Sequence, residues 1–425
     1  MQDGSWSNEK MNRNYNRILI ASCTANASQA IFANMTALLM VPFMSLYGLT
    51  LGQMGILVGI NFGTQILADV LLTFIIDKVK YKNLLYVANL LGFIGIILYC
   101  MSPTIMPTNV FIPFVFSTIV FSFASGMLEV VLSPIVDTIP DTYKNKKAAM
   151  SLLHSFYAWC QAISIVYIAL CLNFFGAENW MYIIGALAIV PVLNTLQFVP
   201  VKITEQRSVQ SKSGSTLKVA KSPIYILCCI AIVVGAGVEI IMNQYVSTFC
   251  ELNLGVSKLM ADMIGMLLFA VMLGTGRLIF GFFGHKINLS KVLIASCFLA
   301  GIAYLLIGLQ INIILSLIMC IMVGLFSSMC WPGVISIAGE AFPKAGAWIF
   351  STLAIFGDVG ASLFGSIAGN IADSLSLSKM FLIISCLPFL CCVCHIAIYA
   401  LIKRNKKNNN AMLEGSLLND NENNS

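Results

Sequence analysis

The sequence predicts an all-α membrane protein built from twelve transmembrane helices in two six-helix bundles. Three observations predict it. The 425 residues are 59% hydrophobic and only 10% charged, too few charges to cover a soluble protein of this length. The apolar residues gather in twelve runs near the ~20 residues a helix needs to cross a bilayer. In hydrocarbon, a helix satisfies its backbone polar groups within itself. Positive charge is also sorted along the chain: of 24 Lys and Arg, 21 lie in every second gap between the runs, counting both ends.

The first six runs are near 18–46, 52–76, 84–101, 110–136, 148–172 and 180–199. The second six are near 223–250, 259–283, 290–309, 312–338, 346–370 and 379–402. The basic gaps hold Lys10, Arg13 and Arg17, then Lys78, Lys80 and Lys82, then Lys144, Lys146 and Lys147. They continue with Lys202, Arg207, Lys212, Lys218 and Lys221, then Lys286 and Lys291, Lys344, and Lys403, Arg404, Lys406 and Lys407. The Lys/Arg-rich side of a membrane protein faces the cytoplasm, so both termini are expected there. The net charge of +6 belongs to this collar and implies no nucleic-acid partner. The apolar run near the start is too long for a cleaved signal peptide and reads on as helix 1.

The longest polar stretch between runs, 200–222, is rich in Ser and Lys and has the composition of a solvated linker. The chain thus divides into a cytoplasmic N-terminal segment 1–17, a bundle 18–199, the linker 200–222, a bundle 223–402 and a cytoplasmic tail 403–425, expected to be disordered. The two bundles echo each other. Gly48-Leu49-Thr50 after helix 1 matches Gly255-Val256-Ser257 after helix 7. Asp77-Lys78 after helix 2 matches His285-Lys286 after helix 8. Gly126 and Pro134 of helix 4 match Gly324 and Pro332 of helix 10 at the same offset. Parallel six-helix repeats are a plan of secondary transporters that hold the solute near the midplane between the halves.

Over its whole length the chain resembles a transporter of the major facilitator superfamily. Its inner loops are similar to that family's signature Gly-x-x-x-Asp-Arg/Lys-x-Gly-Arg-Lys. The first copy keeps Asp77, Lys78 and Lys82 but has Thr73 and Lys80 in place of the glycines. The second keeps Gly281 and Lys286, with His285 at the acidic position and Arg277 just before it. The resemblance implies that Asp77, Lys78, Arg277 and Lys286 form a cytoplasmic gate; topogenic charge alone is the plainer reading. Gly126-Met-Leu-Glu129-Val-Val-Leu-Ser-Pro134, followed by Leu152-Leu153-His154-Ser155-Phe156-Tyr157, is similar to the fucose permease-like branch of sugar:proton symporters. Gly237-Val238-Glu239 and Trp331-Pro332 also look like that branch. Asn34-Met-Thr36-Ala-Leu-Leu carries no acid where the fucose permease has an aspartate late in helix 1.

Ionisable groups at the centre of a membrane helix cost at least about 2.5 kcal/mol each, so they face a cavity and usually act there. Asp69, Glu129, Glu239, Arg277 and Asp358 are placed so. Glu129 is central in helix 4, and Ser327 holds the matching place in helix 10. An acid present in one half only is suited to carrying a proton; the alternative is a neutral structural Glu. Glu239 and Asn243 are four residues apart and share one helix face. With Gln244 and Asn34 they offer the donors and acceptors that sugar hydroxyls need, or they are polar glue between helices. Asn26 and Gln29 suit a cavity-lining role. Trp331 either stacks on a sugar ring or packs beside Pro332, an expected kink. Asp358 either binds solute or pairs with another helix, and Gly365 with Gly369 forms a close-packing pair. His154 either relays protons or is a satisfied interfacial histidine.

The fourteen cysteines lie mostly inside apolar runs, as Cys228-Cys229 and Cys391-Cys392 with Cys394 do, and read as small hydrophobes. No zinc-type spacing joins them to His154, His285 or His395, so no metal and no cofactor is expected. There is no Walker loop and no Gly-x-Ser-x-Gly, and hence no case for an enzyme. The expected function is secondary active transport by alternating access, with protons driving uptake of a sugar or related polyhydroxylated solute. The alternative is a proton-driven exporter of drugs or metabolites, for which the 21 Met argue. A non-transporting receptor is disfavoured by a tail with no signalling domain. The expected partners are the solute, protons and the lipid bilayer, with no nucleic acid, and the protein is expected to work as a monomer. Lys in excess of Arg, with many Asn and Ile, points to an AT-rich genome and so to a bacterial plasma membrane.

Overall fold

A computed structural model describes residues 2–76, 78–140, 146–203, 219–283, 288–342 and 347–422. The described residues are helical with no strands. Among the described residues, eleven helices are long and apolar enough to cross a membrane, or twelve when the bent first pair counts as one span. Span 1 is Gln2–Leu38 followed by Met40–Tyr47, bent by 50°. Spans 2 to 5 are Leu51–Thr73, Tyr81–Ile105, Phe111–Asp137 and Lys146–Phe175. Span 6 is broken into Trp180–Ala186 and Ile189–Phe198. Span 7 is Pro223–Leu252; span 8 opens with Lys258–Met260 and a π-helical stretch Ala261–Leu267 before Leu268–Phe283. Spans 9 and 11 are Leu289–Leu309 and Ala347–Ser374. Span 10 breaks between Ile313–Ser327 and Pro332–Ala341, and span 12 is Leu377–Ile384 with Cys386–Glu422.

The internal repeat is visible in the turns. Gly48 ends span 1 with φ of 65°, and Gly255 ends span 7 with φ of 68°; the left-handed region costs glycine little. Two residues on, Thr50 caps span 2, its hydroxyl accepting from Gln53 N–H, and Ser257 caps span 8 by accepting from Met260 N–H. Gly126 lets span 4 lie on span 2, since a β carbon there would fall 2.8 Å from Ala68 Cβ. Gly324 lets span 10 lie against Phe269 of span 8 in the same way. The prolines part company: span 4 runs straight through Pro134, whereas Pro332 restarts span 10 after a break at 328–331, the kink the sequence predicts.

The last helix continues from the bundle to Glu422. A helix anchored in the bundle extends at little cost per residue, and 403–422 contains no proline to stop it. Most of the linker lies outside the described residues.

The halves meet towards the end that carries the 48–50 and 254–257 turns. Span 2 lies against span 11 through facing glycines: a β carbon on Gly55 would sit 2.8 Å from Gly369 Cα, and one on Gly369 2.6 Å from Gly55 Cα. Ser362 Oγ donates to Gly59 O at 2.7 Å across the same seam. Tyr245 Oη donates to Gly365 O at 2.7 Å, fixing span 7 to span 11.

Candidate functional site between the bundles

The polar layer nearest the closed end is a triangle of amides. Asn243 Nδ2 on span 7 donates to Asn34 Oδ1 on span 1 at 2.9 Å. Gln161 Nε2 on span 5 donates to Asn243 Oδ1 at 2.8 Å and to Asn34 Oδ1 at 3.3 Å. Gln244 Nε2 donates to Ala33 O at 2.9 Å. Asn34, Gln161, Asn243 and Gln244 are all buried. The residues expected to meet solute here join one bundle to the other. Gln161 was not singled out from sequence, since one amide in an apolar run resembles any other.

One layer deeper the acids converge. Glu129 on span 4 is exposed although it lies well inside its span. Asp69 on span 2 and Asp358 on span 11 are buried and in electrostatic contact with it and with each other. Span 2 brings Asp69 near Glu129 because Gly126 allows the close crossing one turn away. Asp358 Oδ2 is buried with no hydrogen-bond partner. The three carboxyls come from both bundles, two from the first and one from the second. Trp331 lies flat against Gly357, next to Asp358, and is half-buried.

Glu239 on span 7 is paired. Arg277 Nη2 on span 8 donates to its Oε1 at 2.9 Å and its Oε2 at 3.0 Å, and Arg277 Nε donates to Ser328 O at 3.1 Å. Arg277, expected at a cytoplasmic gate, makes these bonds within its own bundle, where the span 10 break leaves the Ser328 carbonyl to anchor it. Of the other gate candidates, Lys78 is exposed, while Asp77, His285 and Lys286 lie outside the described residues, as does the side chain of His154. Tyr157, half-buried on span 5, is in electrostatic contact with Glu129, Glu239 and Arg277 and lies beside Asn34. It links the amide layer to both charged groups.

Asn26 and Gln29 do not line the gap: both are buried, donating to Leu153 O at 2.6 Å and Ser125 O at 3.1 Å. A second internal network joins Asn61 Oδ1 to Gln65 Nε2 and to Ser122 Oγ, each at 2.9 Å. It sets the faces of spans 2 and 4 that carry Asp69 and Glu129. The cysteines also depart from the reading as isolated hydrophobes. Cys297, Cys330 and Cys391 bring three sulfurs within 4.8 Å of one another, a grouping that separations of 33 and 61 residues hide.

No curated protein matches this sequence. Among solved structures, a bacterial homologue of the human lysosomal transporter Spinster, in an inward-facing and occupied conformation, superposes with a TM-score of 0.74 at 12% identity, over 90% of this chain and 96% of that one. The same homologue in an inward-facing, unoccupied conformation gives 0.73 at 11% identity, over 91% and 97%. The xylose transporter XylE from E. coli, partially occluded and inward open, gives 0.69 at 13% identity, over 90% and 97%. These likenesses establish the fold. The model of the Major Facilitator Superfamily matches residues 20–347 and 227–417. Together these spans cover nearly the whole chain, which therefore belongs to the Major Facilitator Superfamily and is a multi-pass membrane transporter, not an enzyme.

Proposed function

We propose that this protein is a proton-coupled importer of a sugar or a related polyhydroxylated solute, working by alternating access. The observation that carries the reading is Glu129: an exposed carboxyl deep in its span, in electrostatic contact with Asp69 and Asp358. A group that faces water from one side and shares its charge with both bundles is placed to couple proton occupancy to their movement. Tyr157, Glu239, Arg277 and Trp331 surround the same gap with hydrogen-bonding groups and an aromatic face suited to a hydroxylated ring. With the Lys/Arg-rich loops in the cytoplasm, both termini lie inside. The lysine-rich, AT-rich composition fits a bacterial plasma membrane. The similarity of the helix 4 to helix 5 segment to fucose permease-like symporters and the fold shared with a xylose transporter both point to sugars.

One observation favours the exporter reading. Asn34, Asn243 and Gln244, the amides that argued for a hydrophilic solute, are bonded across the bundles in this conformation. A less polar cargo needs fewer free amides.

The deciding experiment records external pH in lightly buffered, energy-depleted cells expressing the protein while sugars are added one at a time. Alkalinisation with one sugar, lost in Glu129→Gln, is the expected result. Silence across the panel, with raised drug resistance in an efflux-deficient host, assigns the exporter function instead.

A further inference from the structure

We infer that Cys297, Cys330 and Cys391 form a binding site for a soft monovalent metal ion, Cu(I), inside the second bundle. The three sulfurs come from spans 9, 10 and 12 and lie within 4.8 Å of one another. Cys297 Sγ and Cys330 Sγ are 3.8 Å apart. Two thiolates bound to one ion at about 2.3 Å with a tetrahedral angle sit about 3.8 Å apart. A disulfide requires a separation near 2.04 Å, so the spacing is that of ligands. Thiolates in this arrangement select Cu(I) over harder ions.

A second observation points to a ligand. His395 is one helical turn beyond Cys391 on the same face of span 12. It is 1% exposed, and neither ring nitrogen has a hydrogen-bond partner. Leaving such a group unsatisfied costs about 1–3 kcal/mol. It is in electrostatic contact with Cys330, which places its unpartnered ring beside the sulfur cluster.

The surroundings suit a metal–thiolate group. Cys330 lies in the span 10 break, its N–H donating to Ser327 O at 2.9 Å, and packs on Gly235, whose absent side chain makes room. Cys391 Sγ is also hydrogen-bonded to Ala231 O of span 7 at 3.5 Å. Arg277 is in electrostatic contact with Cys330 and offsets part of the negative charge that thiolates bring. Binding displaces the thiol protons to solvent and ties the span 10 break to spans 9 and 12. The same break supplies the Ser328 carbonyl that holds Arg277.

The test uses the full-length protein, purified in detergent with reductant and titrated with Cu(I) against a chromophoric Cu(I) chelator. One equivalent per chain is expected, with X-ray absorption on the wild type showing about three sulfur neighbours near 2.3 Å. Cys391→Ala and Cys330→Ala are expected to weaken binding at least a hundredfold. Cys386→Ala, at an exposed cysteine away from the cluster, leaves it unchanged. Reduced wild-type protein that takes up no Cu(I), or takes it up equally well in Cys391→Ala, overturns the site. Retention of Zn(II) in preference, lost in His395→Gln, overturns the copper assignment.

Discussion

Arg277 holds both carboxylate oxygens of Glu239 with one nitrogen, at 2.9 and 3.0 Å, and its Nε is anchored by the Ser328 carbonyl. Neither side chain is far from water, at 31% and 15% exposure, yet both lie within membrane spans. Removing one partner strands a charge where water is scarce. Arg277→Ala is therefore expected to lower stability by about 2 kcal/mol, discounted from the cost of breaking a fully buried pair because of the partial exposure. Thermal unfolding in detergent reads this directly. Glu239→Gln with Arg277→Met together should recover most of the loss, since no lone charge remains. Transport should stay impaired in both, because the polar face toward the gap is gone. Full uptake in the double variant would make the pair a purely structural strut.

Glu129 and Asp358, on opposite bundles, are in electrostatic contact. On the proposed coupling, protonation of this group lets the halves approach, and loss of the protons sets like charges against closure. Glu129→Gln fixes one member neutral. Uphill accumulation is expected to fall to the level of equilibration, while solute exchange down its own gradient persists. In the wild type, uptake at constant membrane potential should decline as external pH rises, because fewer protons load the outward-facing site. In the variant that dependence should flatten. Initial-rate uptake across a series of external pH values checks both; an unchanged slope in Glu129→Gln moves the coupling to another group.

The architecture was legible because its signals are local. Twelve apolar runs, alternating basic gaps and the Gly48/Gly255 turns are each read from a few neighbouring residues. The site was legible only in part. An acid in an apolar run stands out by its cost, so Glu129, Asp69, Asp358, Glu239 and Arg277 were all found. Their partners were not, since Arg277 meets a residue 38 positions away in a direction set by the span 10 break. Amides carry no such cost signal, and Gln161, Asn61 and Gln65 passed as ordinary residues. Asn34 and Asn243 stood out as solute ligands or as polar glue between helices, and which surface they face depends on the state of the bundles.

The crossing of spans 2 and 11 tests that dependence on state. Gly55 and Gly369 leave no room for a side chain on either helix, and Tyr245 Oη lies 2.7 Å from where a Gly369 β carbon would be. Gly369→Val should cost about 1–3 kcal/mol in the closed seam, enough to shift the balance of conformations roughly 5- to 150-fold. Met54 and Tyr245 are 0% exposed in this conformation. Hydroxyl-radical footprinting should show both becoming reactive in the variant, and uptake should fall at least severalfold. Unchanged protection would mean that the seam can widen without opening.

The amide triangle separates a latch from a solute site. In Asn243→Ala, Asn34 Oδ1 loses one of its two donors from Gln161 and Asn243, and Gln161 Nε2 loses its shorter acceptor. Unpaired buried amides cost about 1–3 kcal/mol, and here that cost falls on the closed state alone, because separation of the bundles exposes the same groups to water. A latch predicts faster opening at this end and a changed transport rate with solute affinity held within about threefold. A solute ligand predicts the reverse: affinity falls more than tenfold while the balance of conformations stays put. Gln161→Ala added to Asn243→Ala should then contribute little further, because the two residues share one interaction and their effects are not additive. Equilibrium binding and footprinting on the same three proteins decide between the two roles, and the geometry here favours the latch.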